Sequence, residues 1–130
     1  MSNLDVQCSI KMTGAVNPSE SPEKVTVAIR GIFPDCVDMN ENGHIVATSS
    51  GIQSLENIRE AIRSRQSQKA FRRILERHTD GNSTWFYLNK QAAFARKVAV
   101  CAESDESPLG PIRVTITSHN LKSVIDWLID

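Results

Sequence analysis

No run of apolar residues in this 130-residue chain extends beyond a few positions, far short of the ~20 that a membrane-spanning helix needs. A spanning helix is therefore not expected. The first residues, MSNLDVQC, lack both a basic n-region and an apolar h-region; no secretory signal is read there, and the cytoplasm is the expected compartment. Cysteine is scarce and scattered. Cys8, Cys36 and Cys101 form no CxxC pair and have no histidine pair nearby, which argues against both a disulfide framework and a zinc site. Each reads as a small buried hydrophobe. His44, His78 and His119 are equally dispersed and receive no ligand role. No nucleotide-binding glycine loop is found, and Ser67 and Ser107 have no base at a recognisable spacing, so no nucleophilic dyad can be argued. No catalytic residue, metal site, cofactor or small-molecule substrate is implied, and the chain is not read as an enzyme.

What is present suits one compact domain over residues 1–130, with 40% hydrophobic and 23% charged residues giving enough apolar material for a core. Leu4, Val6, Cys8, Ile10 and Met12 alternate with polar residues, the pattern of a half-buried strand. Ser21 as N-cap, Pro22 at the first helical position and Glu23 in the first turn open a helix whose apolar stripe is Val25, Ala28, Ile29 and Ile32. Phe33-Pro34 should stop it. Residues 36–40 and 44–48 flank Glu41-Asn42-Gly43, a hairpin signal because Asn-Gly favours positive φ.

Residues 54–79 resemble one long helix, yet their apolar phase changes. Leu55, Ile58, Ala61 and Ile62 define one stripe; Ala70, Phe71, Ile74 and Leu75 define another about half a turn away. A straight helix cannot bury both against one sheet, so a break is expected between Arg63 and Lys69, with Asp80-Gly81-Asn82 closing the second helix. Strands are expected at Thr84–Leu88, Val98–Ala102 and Ile112–Thr117, with Pro108 to Pro111 a stiff turn before the last. Asn120 can cap a final helix bearing Leu121, Val124, Ile125 and Leu128. The expected fold class is α+β: a single domain with a largely antiparallel sheet and helices packed mainly on one face.

The formal net charge is zero, but its distribution is uneven. Residues 1–56 carry 3 basic and 7 acidic groups, residues 57–97 carry 10 and 3, and residues 98–130 carry 2 and 5. A middle segment this basic suits phosphate. Arg65, Lys69, Arg73 and Arg77 recur every fourth residue with Arg72 beside them, opposite Phe71 and Ile74, and should form a solvent-facing basic stripe. The plainer alternative is the solvated face of an amphipathic helix, although such faces usually mix both signs and Glu76 is the one acid here. Lys90, Arg96 and Lys97 make a second basic group. Convergence of the two groups would favour phosphate binding. In the strand between them, alternation puts Trp85 and Tyr87 on one face and Phe86 and Leu88 on the other, so at least one pair should be core. Tyr87 is the better base-stacking candidate because its hydroxyl tolerates water. Asn82-Ser83-Thr84 matches a glycosylation acceptor that a cytoplasmic protein would not use, and the acidic turn of Glu103, Asp105 and Glu106 reads as solvated loop rather than a cation site.

Two blocks are specific enough to suggest kinship: Phe86 to Phe94, FYLNKQAAF, and Ser107 to Ile116, SPLGPIRVTI, together with the SPEK helix start, the IFPD helix stop and the ending Ile125-Asp126-Trp127-Leu128. The chain resembles an archaeal conserved family of uncharacterised proteins, of UPF type, to which RNA binding is ascribed, and the match spans nearly the whole chain. The resemblance implies a fold like that of the ribosomal protein that holds the small ribosomal RNA of the large subunit. It departs from the family at Arg96, where glycine is common; a loop bending there with positive φ would be strained by arginine. The resulting expectation is a non-catalytic RNA-binding module using Arg65, Lys69, Arg72, Arg73, Arg77, Lys90, Arg96 and Lys97 on phosphates and Tyr87 on a base. The alternative is a protein-interaction or homodimerisation module in which the SPLGPIRVT strand and the sheet face of Gln7, Ser9, Lys11 and Thr115 meet a second copy.

Overall fold

The computed structural model describes residues 6–103 and 109–130. The expected strand start at Leu4, the acidic-turn residues Asp105 and Glu106, and Ser107-Pro108 lie outside the described residues. The chain forms a single α+β domain whose six strands make one antiparallel sheet in the order β2-β3-β1-β6-β4-β5. The strands are β1 (Ser9–Ala15), β2 (Val37–Glu41), β3 (His44–Ser50), β4 (Ser83–Leu88), β5 (Val100–Cys101) and β6 (Ile112–Thr117). The helices are α1 (Pro22–Ile32), α2 (Glu56–Ser64), α3 (Gln68–Arg77), α4 (Lys90–Phe94) and α5 (Leu121–Leu128), with a 3-10 turn at Ile52–Leu55.

Alternation decides the layers. Ile10, Met12, Ile45, Ala47, Phe86, Leu88, Ile112, Val114 and Ile116 point to one side and are buried against Val25 and Ile29 of α1, Ile58 of α2, Phe71 and Leu75 of α3, and Val124 and Leu128 of α5. Phe71 meets Phe86 edge to face, with ring centroids 5.1 Å apart at 83°, the arrangement aromatic quadrupoles favour. Among the described residues no helix covers the opposite side of the sheet: Ser9, Lys11, Thr48, Arg113 and Thr117 are exposed, and Thr13, Thr115, Trp85 and Tyr87 are partly exposed. Cys8, Cys36 and Cys101 are buried, as small hydrophobes would be, and burial pushes the Cys8 and Cys36 thiols up.

The β2–β3 turn has Asn42 at φ 48 and Gly43 at φ 80, both positive as a two-residue type I′ hairpin requires. The break expected in residues 63–69 is present. Arg65 ends α2, Gln66 turns left-handed at φ 53, and the backbone amides of Gln66 and Ser67 donate to the carbonyls of Arg63 and Ile62. That pair of bonds is a Schellman cap, which closes one helix before the next begins and lets each bury its own stripe.

Two local expectations need correction. Ser21 and Asn120 occupy N-cap positions but their side chains make no cap bond; the Ser21 hydroxyl donates to Glu23 instead. Val98–Ala102 contributes only Val100 and Cys101 to the sheet, because the chain is still leaving α4. Ile112–Thr117 of the SPLGPIRVT block is β6, an interior strand paired with both β1 and β4.

Candidate nucleic-acid interface

Helix α3 places Lys69, Arg73 and Arg77 on its exposed side while Phe71 and Leu75 are buried beneath. This is the expected geometry of a basic stripe with a four-residue step. Arg65 is exposed too, but it caps α2 rather than belonging to α3; the break shortens the continuous stripe to three residues. Arg72 departs from its expected role. Its guanidinium donates to Asp126 of α5 at 3.0 Å and to Glu76 at 3.4 Å, and the Asp126 bond holds it above the ordinary guanidinium value. Arg72 therefore ties α3 to α5 and would have to leave carboxylate partners to meet a phosphate.

Lys90 is corrected more sharply. Its side chain is fully buried, and Nζ donates to the Ala15 carbonyl at 2.7 Å, the Leu109 carbonyl at 2.6 Å and Glu20 Oε1 at 3.0 Å. Asn17 reinforces the cluster, donating its backbone N–H and side-chain amide to Glu20 Oε1 and the same amide to Leu109 O. Burial by itself would raise the Glu20 pKa, but the bonds from Asn17 and Lys90 outweigh it and the carboxyl lies below its ordinary value. Lys90 is thus the knot that joins the end of β1, the start of α1 and the turn before β6, and it is no surface cation. A buried lysine was not legible in the sequence, where Lys90 reads as one of a second basic group with Arg96 and Lys97.

Lys90 opens α4, a helix the sequence reading missed. Asn89 caps it, its side-chain oxygen accepting from the Ala92 amide at 2.9 Å. At its end Arg96 sits at φ 60, and the amides of Arg96 and Lys97 donate to Ala93 and Ala92. This second Schellman cap has arginine in the left-handed position that favours glycine. The cap turns both Arg96 and Lys97 outward, where they are exposed. The following residues, Val98 and Val100, line a groove of about 200 Å³ together with Arg65, Phe71 and Ile74. The loop of the second basic group therefore meets the α2–α3 break that carries the first. Among the described residues, no carboxylate forms an ion pair with Arg65, Lys69, Arg73, Arg77, Arg96 or Lys97.

Tyr87 lies on the uncovered sheet face, half-exposed, beside Trp85 with centroids 5.0 Å apart. Two residues that the sequence reading did not connect complete the cluster. The His78 ring stacks on Trp85 at 3.5 Å and 4°, and the Arg113 guanidinium lies 4.3 Å from the Trp85 centroid. Arg113 was recoverable in principle, being on the polar face of its strand, but only strand pairing shows that it stands opposite Tyr87.

The family model described as RNA binding matches residues 9–118. The chain is 39% identical over 119 residues to a UPF0201 protein of Methanothermobacter thermautotrophicus, covering 92% of this chain and 89% of that protein. A UPF0201 protein of Metallosphaera sedula is 34% identical over 122 residues, covering 92% and 85%. Two crystal structures of UPF0201 proteins are similar: one superposes with TM-score 0.72 at 31% identity, covering 86% of this chain and 84% of that one, and the other, from Methanococcus jannaschii, with TM-score 0.71 at 30% identity, covering 96% and 94%.

Proposed function

Since the chain belongs to the UPF0201 family and matches the family model described as RNA binding, we propose that it is a non-catalytic RNA-binding module of the cytoplasm. The observation that carries the reading is the set of exposed cations Arg65, Lys69, Arg73, Arg77, Arg96 and Lys97, which pair with no carboxylate among the described residues and gather around one groove edge and one helix face in a protein of zero net charge. Phosphates satisfy such cations without reading sequence. Arg72 is a secondary contact, and Lys90 is left out. Tyr87, half-exposed on the uncovered sheet face, is kept as the base contact. The ribosomal-protein-like fold is part of the proposal on the strength of the motif resemblance alone.

Binding to an unstructured RNA oligonucleotide, measured against salt, tests the reading. A slope of about −0.7 per phosphate contact for a single strand gives about −3 for four contacts. Absence of binding at low salt would overturn it. Self-association has one observation in its favour, the edge strand β2, which exposes Val37 (72%) and Met39 (58%) on the uncovered side of the sheet. Sedimentation over a range of concentrations tests it, and a strict monomer would remove it.

A further inference from the structure

The uncovered sheet face has a stack built into it. His78 fills one face of the Trp85 ring at 3.5 Å, so the Arg113 guanidinium, 4.3 Å from the centroid, must lie on the other. His78 is held in place through Nδ1, 2.9 Å from the carbonyl of Trp85 itself; a carbonyl only accepts, so Nδ1 carries the proton. Strand pairing sets the neighbours. Tyr87, Arg113 and Thr13 form one row across β4, β6 and β1, and Trp85, Thr115 and Lys11 form the next. Lys11 and Arg113 supply positive charge, and among the described strand residues of this face the one carboxylate is Glu41, in the β2–β3 hairpin at the opposite edge from Trp85.

We propose, resting on the RNA-binding reading, that this face is a stacking platform for unpaired bases of single-stranded RNA. Tyr87 and the outer plane of Arg113 are the contact surface. Trp85 has both ring faces occupied and is a positioning residue that keeps Arg113 flat, while His78 braces Trp85 from behind. A planar cation backed by an aromatic ring presents a base with a rigid π-surface and a positive charge together, the combination single-strand binders use. Lys11 is placed for a phosphate, and the hydroxyls of Thr13 and Thr115 for sugar or backbone. Duplex RNA does not suit the site, because its bases keep their faces inside the helical stack and its deep groove excludes side chains.

The probes are oligo(U), which stays single-stranded, and an RNA duplex of equal length. With Trp127→Phe in place, Trp85 is the sole tryptophan, and oligo(U) should quench its fluorescence while duplex does not. Anisotropy of labelled oligo(U) with the otherwise native protein provides a readout that does not depend on that substitution. Tyr87→Leu should weaken oligo(U) binding about fivefold to a hundredfold, the range for loss of one base stack. Arg113→Gln should weaken it as well, and neither should alter duplex binding. Oligo(U) binding that is equal in parent, Tyr87→Leu and Arg113→Gln would overturn the platform and leave the phosphate surface standing. No binding of either RNA would overturn the RNA reading itself. A dimer dissociated by Arg113→Glu would show that the face is covered by a second copy and would also overturn the platform.

Discussion

Replacing Lys90 by methionine should be among the most damaging single changes available to this fold. Methionine keeps an unbranched stem of similar length but removes an ammonium that is fully buried and donates to Ala15 O, Leu109 O and Glu20 Oε1. Leu109 O and Glu20 Oε1 keep donors from Asn17, so hydrogen-bond loss is the smaller part. The larger part is the Glu20 carboxylate, 5% exposed, left without its counter-ion and with Oε2 already lacking a hydrogen-bond partner among the described residues. Removing one member of a buried pair costs about 3–5 kcal/mol, a large share of the roughly 5–15 kcal/mol that holds a domain together. Adding Glu20→Gln to the methionine variant removes the orphaned charge and should recover about 0.5–3 kcal/mol, the size of coupling seen between directly contacting residues. Urea unfolding followed by circular dichroism measures all four members of this cycle. A loss below about 1 kcal/mol for Lys90→Met, or no recovery on adding Glu20→Gln, would refute the buried knot and return Lys90 to the surface cations.

The same cluster sets an acid dependence. Glu20 titrates below its ordinary value in the folded state, so its contribution is complete above the unfolded pKa of about 4.3 and is lost as pH falls through the lower folded value; Glu20→Gln should flatten that acid limb, and an unchanged limb would contradict the assignment. Arg96→Gly should raise stability by about 1 kcal/mol by relieving the left-handed position at φ 60 while making the RNA salt slope shallower by about 0.7; a loss of stability on thermal melting would refute the strain. Thr84→Val removes a buried 2.6 Å bond to Leu75 O, a carbonyl that still accepts from Thr79. It should therefore cost only about 0.5–1.5 kcal/mol in denaturant unfolding, and a cost above about 3 kcal/mol would mean that the strand itself had moved.

Periodicity and backbone chemistry were the legible levels. The half-turn shift between the Leu55 and Phe71 stripes located a helix break that the structure closes at Gln66, and Asn42-Gly43 announced its hairpin. The sheet and its helix-covered side followed from alternation in Ile10 and Met12, and in Ile112, Val114 and Ile116. Short elements were less readable. Helix α4 is five residues long, too short for an apolar stripe to repeat, and its left-handed cap uses arginine where a glycine would have signalled the end. Partnerships between distant residues were not readable at all. Lys90 with Glu20 and Arg113 with Trp85 meet only through the sheet order β1-β6-β4, which no local pattern encodes, and so a lysine expected at the surface is buried while an arginine outside the expected set joins the aromatic cluster.

Exposed cations around α3 and the α2 cap are proposed to bind the phosphates of RNA, and the direct test is the affinity of an Arg65→Gln, Lys69→Gln and Arg73→Gln triple variant. All three side chains are exposed, and such substitutions usually change stability by less than ~0.5 kcal/mol each, so the fold should survive. Fluorescence anisotropy with oligonucleotides of several sequences should show weaker binding to all of them and a salt slope shallower by about 2 for three lost contacts. Parent-like affinity and slope in a folded triple variant would contradict phosphate binding there and leave the stripe as a solvated helix face.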